Sequence, residues 1–131
     1  MLPSMFQSST VPLLEQTVQF TESRHNVLAA NIANMDTPGY RARDISPEEF
    51  QSSLRELVAA QNHADGSIAA TQPALQQARE ASKNILYHDD SNVSLEQQAS
   101  EISKNQMQHN LALSLLSSQF RLMQAAISEK V

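Results

Sequence analysis

Residues 30–40 have the sequence Ala-Asn-Ile-Ala-Asn-Met-Asp-Thr-Pro-Gly-Tyr, and they end a long amphipathic pattern that precedes them. Pro38 fixes its own φ and disfavours the helical conformation at Thr37, so an incoming helix is predicted to finish near residues 35–36. Pro38 and Gly39 suit positions i+1 and i+2 of a type II turn, because glycine tolerates the positive φ required there. The chain is therefore expected to leave a helix and turn sharply.

Asn31 and Asn34 lie on one face of the last part of that helix, because residues three apart are neighbours on a helix surface. Their amides could bond nearby carbonyl groups or a partner chain. The alternative is an ordinary polar helix end followed by a common Pro-Gly corner. The chemistry of these residues leaves both interpretations open.

The wider region resembles the N-terminal signature of bacterial flagellar rod and hook proteins. It runs Ala29-Ala-Asn-Ile-Ala-Asn34, then Asp36-Thr-Pro-Gly-Tyr40, then Arg41-Ala-Arg-Asp44. The C-terminal part, from Asn92 onward, is similar to the proximal-rod branch of this family rather than to its sister rod protein FlgC, which is the alternative within the family. The middle of the chain is not diagnostic.

The resemblance implies a structural subunit of the flagellar proximal rod, located in the periplasmic part of the basal body. Such subunits leave the cell through the flagellar type III apparatus and fold on assembly. The implied partners are copies of this chain, the rod proteins FlgC, FlgF and FlgG, the adaptor FliE at the MS-ring and, transiently, the export apparatus. Nucleic acid, direct membrane insertion and cofactors are not expected.

The resemblance also implies subunit contacts at the end of the first helix and in the turn. Met35 departs from the family pattern, in which a small residue is usual. Carried over by motif, the contact candidates are Asn31, Ile32, Asn34, Asp36, Thr37, Pro38, Gly39 and Tyr40.

The composition favours a helical protein that binds other proteins. The 131 residues carry a formal net charge of -5, and such an acidic chain without a long basic cluster is unlike a nucleic-acid binder. Two glycines, no tryptophan and 5% aromatic residues are a poor supply for an all-β core. The chain has no cysteine, which removes disulfides and thiolate chemistry.

Residues 1–11 are predicted to be a flexible export leader, with plain local disorder as the alternative. They contain no charged residue, and their apolar positions are interrupted by Pro3 and several polar residues, unlike a secretory signal. Residues 12–131 are predicted to form a single rod domain. Its parts are a helix over 12–36, a turn, short helix and loop over 37–93, and a helix over 94–129.

The first helix is predicted to begin near Pro12, with Thr10 or Val11 as its cap. Apolar residues recur in alternating steps of four and three, which is typical of a coiled-coil seam. Leu13, Phe20 and Val27 flank this seam on one side. The seam consists of Leu14, Val18, Thr21, His25, Leu28, Ile32 and Met35.

The middle of the chain is predicted to hold one short helix and an irregular region. Ser46-Pro47-Glu48-Glu49 has the pattern of a capping box, with Ser46 as N-cap and a helix that ends by residues 62–66. Residues 74–86 have weaker helical spacing. Residues 88–92 are predicted to form a loop.

The last helix has the most regular pattern in the chain. Ser94 followed by Gln97 forms a second capping box. The four-three rhythm then predicts a long helix paired with another, so the fold class is mainly α, with long terminal helices packed as a coiled-coil-like bundle. Met107, Leu111, Leu115 and Leu122 widen its apolar face. The seam consists of Leu95, Ala99, Ile102, Gln106, His109, Leu113, Leu116, Phe120, Met123 and Ile127.

Polar residues interrupt both seams, at Thr21 and His25 in the first and at Gln106 and His109 in the second. In an antiparallel pair these positions would fall near the centre, where they could fix the register of the helices. The alternative is that they face a solvated gap or another subunit.

Catalysis is not expected. Glu22-Ser-Arg-His25 has the spacing of a di-iron ligand pair, but such sites need this tetrad twice and two further glutamates. No phosphate-binding loop, nucleophile elbow or thiol nucleophile occurs. The rival to a rod subunit is a cytoplasmic helical adaptor or chaperone for type III secretion, which would share the acidic charge but would not need the Asp36–Tyr40 corner.

Overall fold

The computed structural model describes residues 10–63, 68–88 and 94–129, and it confirms a mainly helical fold in which the long terminal helices pack together. Among these residues there are four helices and two short strands. In chain order they are α1 (Val11–Ala33), β1 (Arg43–Ile45), α2 (Pro47–His63), α3 (Ile68–Ala81), β2 (Ile85–Tyr87) and α4 (Leu95–Ser128).

The helix starts follow the signals in the sequence. Thr10 is the N-cap residue of α1, although its side chain makes no capping bond. Ser46 Oγ accepts the backbone N–H of Glu49, and Ser94 Oγ accepts that of Gln97, so both predicted serine caps are present. The first helix ends at Ala33, two to three residues before the predicted end at residues 35–36.

The hydrophobic core lies where α1 meets α2, α3 and β1. The rings of Phe20 and Phe50 are stacked with centroids 4.2 Å apart. The rest of this cluster consists of Val27, Ile45 and Ala78, with Leu54 packed against it. Phe20 and Val27 were predicted to flank the seam of the first helix. They lie instead at the centre of its buried face.

The middle of the chain is more ordered than predicted. A second helix, α3, runs over Ile68–Ala81, so the weak helix predicted over residues 74–86 is wrong at both ends. Ile85 and Leu86 lie in β2 instead, which pairs antiparallel with β1 in the register Asp44↔Leu86. Of the predicted loop 88–92 only His88 lies inside the described residues, and of the predicted leader 1–11 only Thr10 and Val11, the latter already within α1.

Only half of the seam predicted for α4 faces the interior of the subunit. Positions 102, 109, 116 and 123 are partly buried, as expected, but they alternate with buried Gln98, Asn105 and Ala112. The predicted partners Leu113, Phe120 and Ile127 are exposed. Because α1 presents Thr21, Arg24 and Asn31 to α4, the polar side of α4 turns inward to pair with them.

No helix within the described residues is long and apolar enough to cross a bilayer.

Candidate subunit interface

The predicted turn after α1 is present. Tyr40 donates its backbone N–H to Thr37 O over 3.2 Å, which closes a four-residue turn with Pro38 and Gly39 at its centre. Gly39 has φ +79°, the conformation that a type II turn requires at this position. Asn34 is the C-cap residue of α1, and both its backbone N–H and its side-chain amide donate to Ala30 O.

Asn31 holds the two ends of this turn together from inside the protein. Its Oδ1 accepts the backbone N–H of Arg43 and the hydroxyl of Tyr40, each over 3.0 Å. Its Nδ2 donates to Arg43 O over 2.6 Å and to Gln98 Oε1 over 3.0 Å. With 1% of its surface exposed, Asn31 organises the turn and does not offer its amide to the outside.

A buried ion triad joins α1, β1 and α4 next to this network. Arg24 Nε lies 2.9 Å from Asp44 Oδ1, and Arg24 Nη2 lies 3.1 Å from Asp44 Oδ2 and 2.9 Å from Glu101 Oε2. Burial alone would lower the pKa of Arg24, but the hydrogen bonds and charges of Asp44 and Glu101 outweigh it and raise that pKa. The guanidinium therefore stays charged at any physiological pH.

Further along the same helix pair, polar groups again bridge α1 and α4. Asn105 Nδ2 donates to Thr21 O over 2.6 Å, and Thr21 Oγ1 lies 2.8 Å from His109 Nδ1. Of the four polar seam positions, Thr21 and His109 thus contact each other, whereas Gln106 is exposed and bonds Asn110 of its own helix. The contacts Asn31–Gln98 and Thr21–Asn105 show that the two helices run antiparallel.

The contact candidates of the motif fall into three groups. Asp36, Thr37, Pro38 and Gly39 are exposed. Ile32, Asn34 and Tyr40 are half-buried. Asn31 alone is buried, so a neighbouring protein would meet the tip of the turn rather than its base.

The predicted seam residues also differ in exposure. Leu28 is fully buried. Leu14, Val18, Leu116 and Met123 are half-buried. Leu113, Phe120 and Ile127 are exposed.

A second apolar surface runs along α4, and we call Met107, Leu111, Leu115 and Leu122 the outer stripe. These residues share one face of the helix, because their spacings of four and seven bring them into line. Met107 is 71% exposed, Leu122 64% and Leu111 61%. The stripe borders an open apolar groove of about 200 Å³ between α1, α2 and α4, lined by Leu14, Phe20, Phe50, Leu54, Leu111 and Leu115, among others. Such a continuous apolar surface is typical of a protein–protein contact.

The turn gives a first prediction. Replacing Gly39 with alanine should lower the free energy of unfolding by about 1 kcal/mol, because a Cβ disfavours positive φ. No heavy atom lies within 4 Å of the added Cβ, so the cost is conformational and not a clash. Urea unfolding in trimethylamine N-oxide, which favours the folded chain, measures this loss by circular dichroism. Asp36→Ala, in the same exposed turn, should change stability by less than about 0.5 kcal/mol. If the two variants lost equal amounts of stability, the positive φ at position 39 would not be what makes glycine necessary there.

The described residues contain no group of three or more His, Cys, Asp or Glu side chains placed to hold a metal ion. The single Glu22–His25 pair therefore has no further acidic or histidine partners among them. What these residues do provide is a helix pair, an exposed turn and an uncovered apolar stripe, which are features of a protein that assembles.

Comparison with known proteins also points to a protein that assembles. Residues 19–41 match the family model described as flagella basal body rod protein. The chain is 30% identical over 119 residues to the flagellar basal body rod protein FlgB of Escherichia coli K12, and the match covers 82% of this chain and 84% of that protein. It is 28% identical over 119 residues to FlgB of Salmonella typhimurium, with the same coverage. It is 33% identical over 105 residues to FlgB of Aeromonas hydrophila, covering 72% of this chain and 74% of the relative.

The chain belongs to the class of flagellar basal body rod proteins. Within that class it belongs to the FlgB family. It is a structural component of the basal-body rod, is located in the flagellar basal body and associates with other basal-body components. The family is structural and is not known for catalysis.

Proposed function

We propose that this chain is a subunit of the proximal part of the rod, and that it folds fully only as it assembles there. The observation that carries the proposal is the exposed outer stripe of α4. Burying a leucine or methionine side chain stabilises a structure by about 1.5–3 kcal/mol, so leaving four such residues in water forgoes several kcal/mol that neighbouring subunits could supply.

The interior of the subunit supports the same proposal. α4 packs on α1 through polar residues, among them Gln98 and Asn105, which are buried. Hydrogen bonds contribute only about 1 kcal/mol each to net stability, because water satisfies the same groups in the unfolded chain. The helix pair is thus specific in its pairing but gains little from apolar burial. A chain of this kind also suits passage through the type III export apparatus in an unfolded state. Residues 1–11 are the proposed export leader, and residues 12–131 are the proposed rod domain.

Two surfaces are proposed to meet neighbouring subunits. The first is the exposed tip of the turn, residues 36–39, held in place by Asn31, Ile32, Asn34 and Tyr40. The second is α4, through the outer stripe and through the exposed seam residues Leu113, Phe120 and Ile127. The remaining seam residues, Leu14, Val18, Leu28, Leu116 and Met123, are half-buried or buried within the subunit. The proposed neighbours are further copies of this chain, FlgC, FlgF, FlgG and, at the MS-ring, FliE.

The test is the state of the isolated chain in dilute solution. We expect partial helicity and a broad thermal transition by circular dichroism, with helicity rising in trimethylamine N-oxide, which favours burial of surface. A chain that is fully helical when dilute and melts cooperatively, as a type III adaptor would, contradicts the proposal.

A further inference from the structure

The position of the exposed turn is determined by the residues on either side of it and not by packing of its tip. Nothing lies within 4 Å of a Cβ built on Gly39, and residues 36–39 are exposed. Within the turn itself the backbone bond between Tyr40 and Thr37 closes the loop. The position of the turn relative to α1 therefore depends on the groups that hold the chain before and after it.

The chain after the turn is held along both edges of β1. On one edge β1 pairs with β2, and this pairing continues with His88 N–H donating to Ala42 O over 2.9 Å. On the other edge the Asn31 side chain bonds both the N–H and the C=O of Arg43, as a paired peptide group would. Asn31 thus connects the last turn of α1 directly to the start of β1.

α4 contacts both residues of α1 that hold β1. Gln98 accepts a hydrogen bond from Asn31, which bonds Arg43. One turn further along α4, Glu101 binds Arg24, which binds Asp44, the next residue of β1. Two parallel connections therefore run from α4 through α1 to adjacent residues of β1.

We propose that the turn takes its contact geometry only when α4 is docked on α1, with Gln98 and Glu101 as the positioning residues. Without α4, Asn31 Nδ2 loses one of its two acceptors and Arg24 loses one of its two carboxylates, so both anchors of β1 weaken together. A subunit whose terminal helices have not paired would not present a formed turn to its neighbours. That consequence rests on the proposed role of the turn in the rod, whereas the coupling inside the subunit does not.

Hydrogen exchange of single backbone amides tests the coupling in the full-length chain. The measurement is made in trimethylamine N-oxide, which favours the folded chain without any rod. Gln98→Met keeps the length of the side chain but removes the acceptor for Asn31. We expect the amides of Tyr40 and Arg43 to exchange about tenfold faster in this variant, the effect of losing roughly one hydrogen bond. Glu101→Gln, which acts on the parallel connection, should accelerate the same amides.

Asn105→Leu is the matched control. It also replaces a buried amide of α4 with an apolar side chain of similar size and removes one bond to α1, at Thr21 O, but lies two turns away from Gln98. We expect less than about twofold acceleration at Tyr40 and Arg43. Equal acceleration by Asn105→Leu would show general loosening of the helix pair and would overturn the proposal, as would unchanged exchange in both Gln98→Met and Glu101→Gln. Because no rod is present, either result is independent of whether the turn contacts other subunits.

Discussion

Replacing Met107 and Leu122 together with glutamine is expected to prevent incorporation of the chain into the rod and to abolish swimming. Both side chains are more than half exposed in the subunit, so the substitutions should change its own stability by less than about 0.5 kcal/mol each. In the rod the same side chains would be covered. Losing about 1–2 kcal/mol of burial at each of them weakens subunit association by roughly 30- to 1,000-fold.

The measurement is the amount of this chain in purified basal bodies, together with motility on soft agar. Ser52→Gln with Glu56→Gln is the matched control, because both residues are exposed on α2, outside the two surfaces proposed to meet neighbouring subunits. This control should assemble normally. Normal assembly of the Met107→Gln/Leu122→Gln variant would show that the outer stripe is not a rod contact.

Replacing Arg24 with methionine is expected to lower the free energy of unfolding by about 3 kcal/mol, the largest effect of any single substitution considered. Methionine keeps the apolar stem but leaves Asp44 and Glu101 facing each other without the guanidinium. Removing one partner of a buried ion pair costs about 3–5 kcal/mol, and the lower value applies because both carboxylates are partly exposed.

Urea unfolding in trimethylamine N-oxide measures this loss, with Arg55→Met, an exposed position on α2, as the control. The control should change stability by less than about 0.5 kcal/mol. If Arg24→Met were no more destabilising than Arg55→Met, the ion triad would contribute nothing to the fold. Because the pKa of Arg24 is raised above its already high ordinary value, its contribution should be lost only at strongly alkaline pH, far above neutrality.

Local chemistry made α1, α2, α4 and the turn predictable, but not α3. The serine caps at Ser46 and Ser94, the Pro38–Gly39 turn and the four-three rhythm each depend on a few adjacent residues, so sequence alone was sufficient. The β1–β2 pair was not predictable, because three-residue strands carry too little pattern and their pairing joins residues forty or more positions apart.

The face of α4 that meets α1 was mispredicted for a physical reason. Periodicity shows which residues of a helix are apolar, and the prediction assumed that these face the partner helix within the chain. Here the buried residues of α4 are Gln98, Asn105 and Ala112, seven residues apart. Gln98 and Asn105 bond Asn31 and Thr21 of α1. The one signal available was that Arg24 and Asn31 share this same seven-residue spacing on α1.

The rod interpretation depends on the outer stripe being covered by neighbouring subunits. Since the chain has no cysteine, single substitutions Met107→Cys and Ser52→Cys, the latter at an exposed position of α2 outside both proposed contact surfaces, can report coverage by thiol labelling in purified basal bodies and in the isolated chain. We predict that the thiol of Met107→Cys reacts in the isolated chain but is protected in the rod, while that of Ser52→Cys reacts in both. Equal labelling of Met107→Cys in the rod and in the isolated chain would contradict the account.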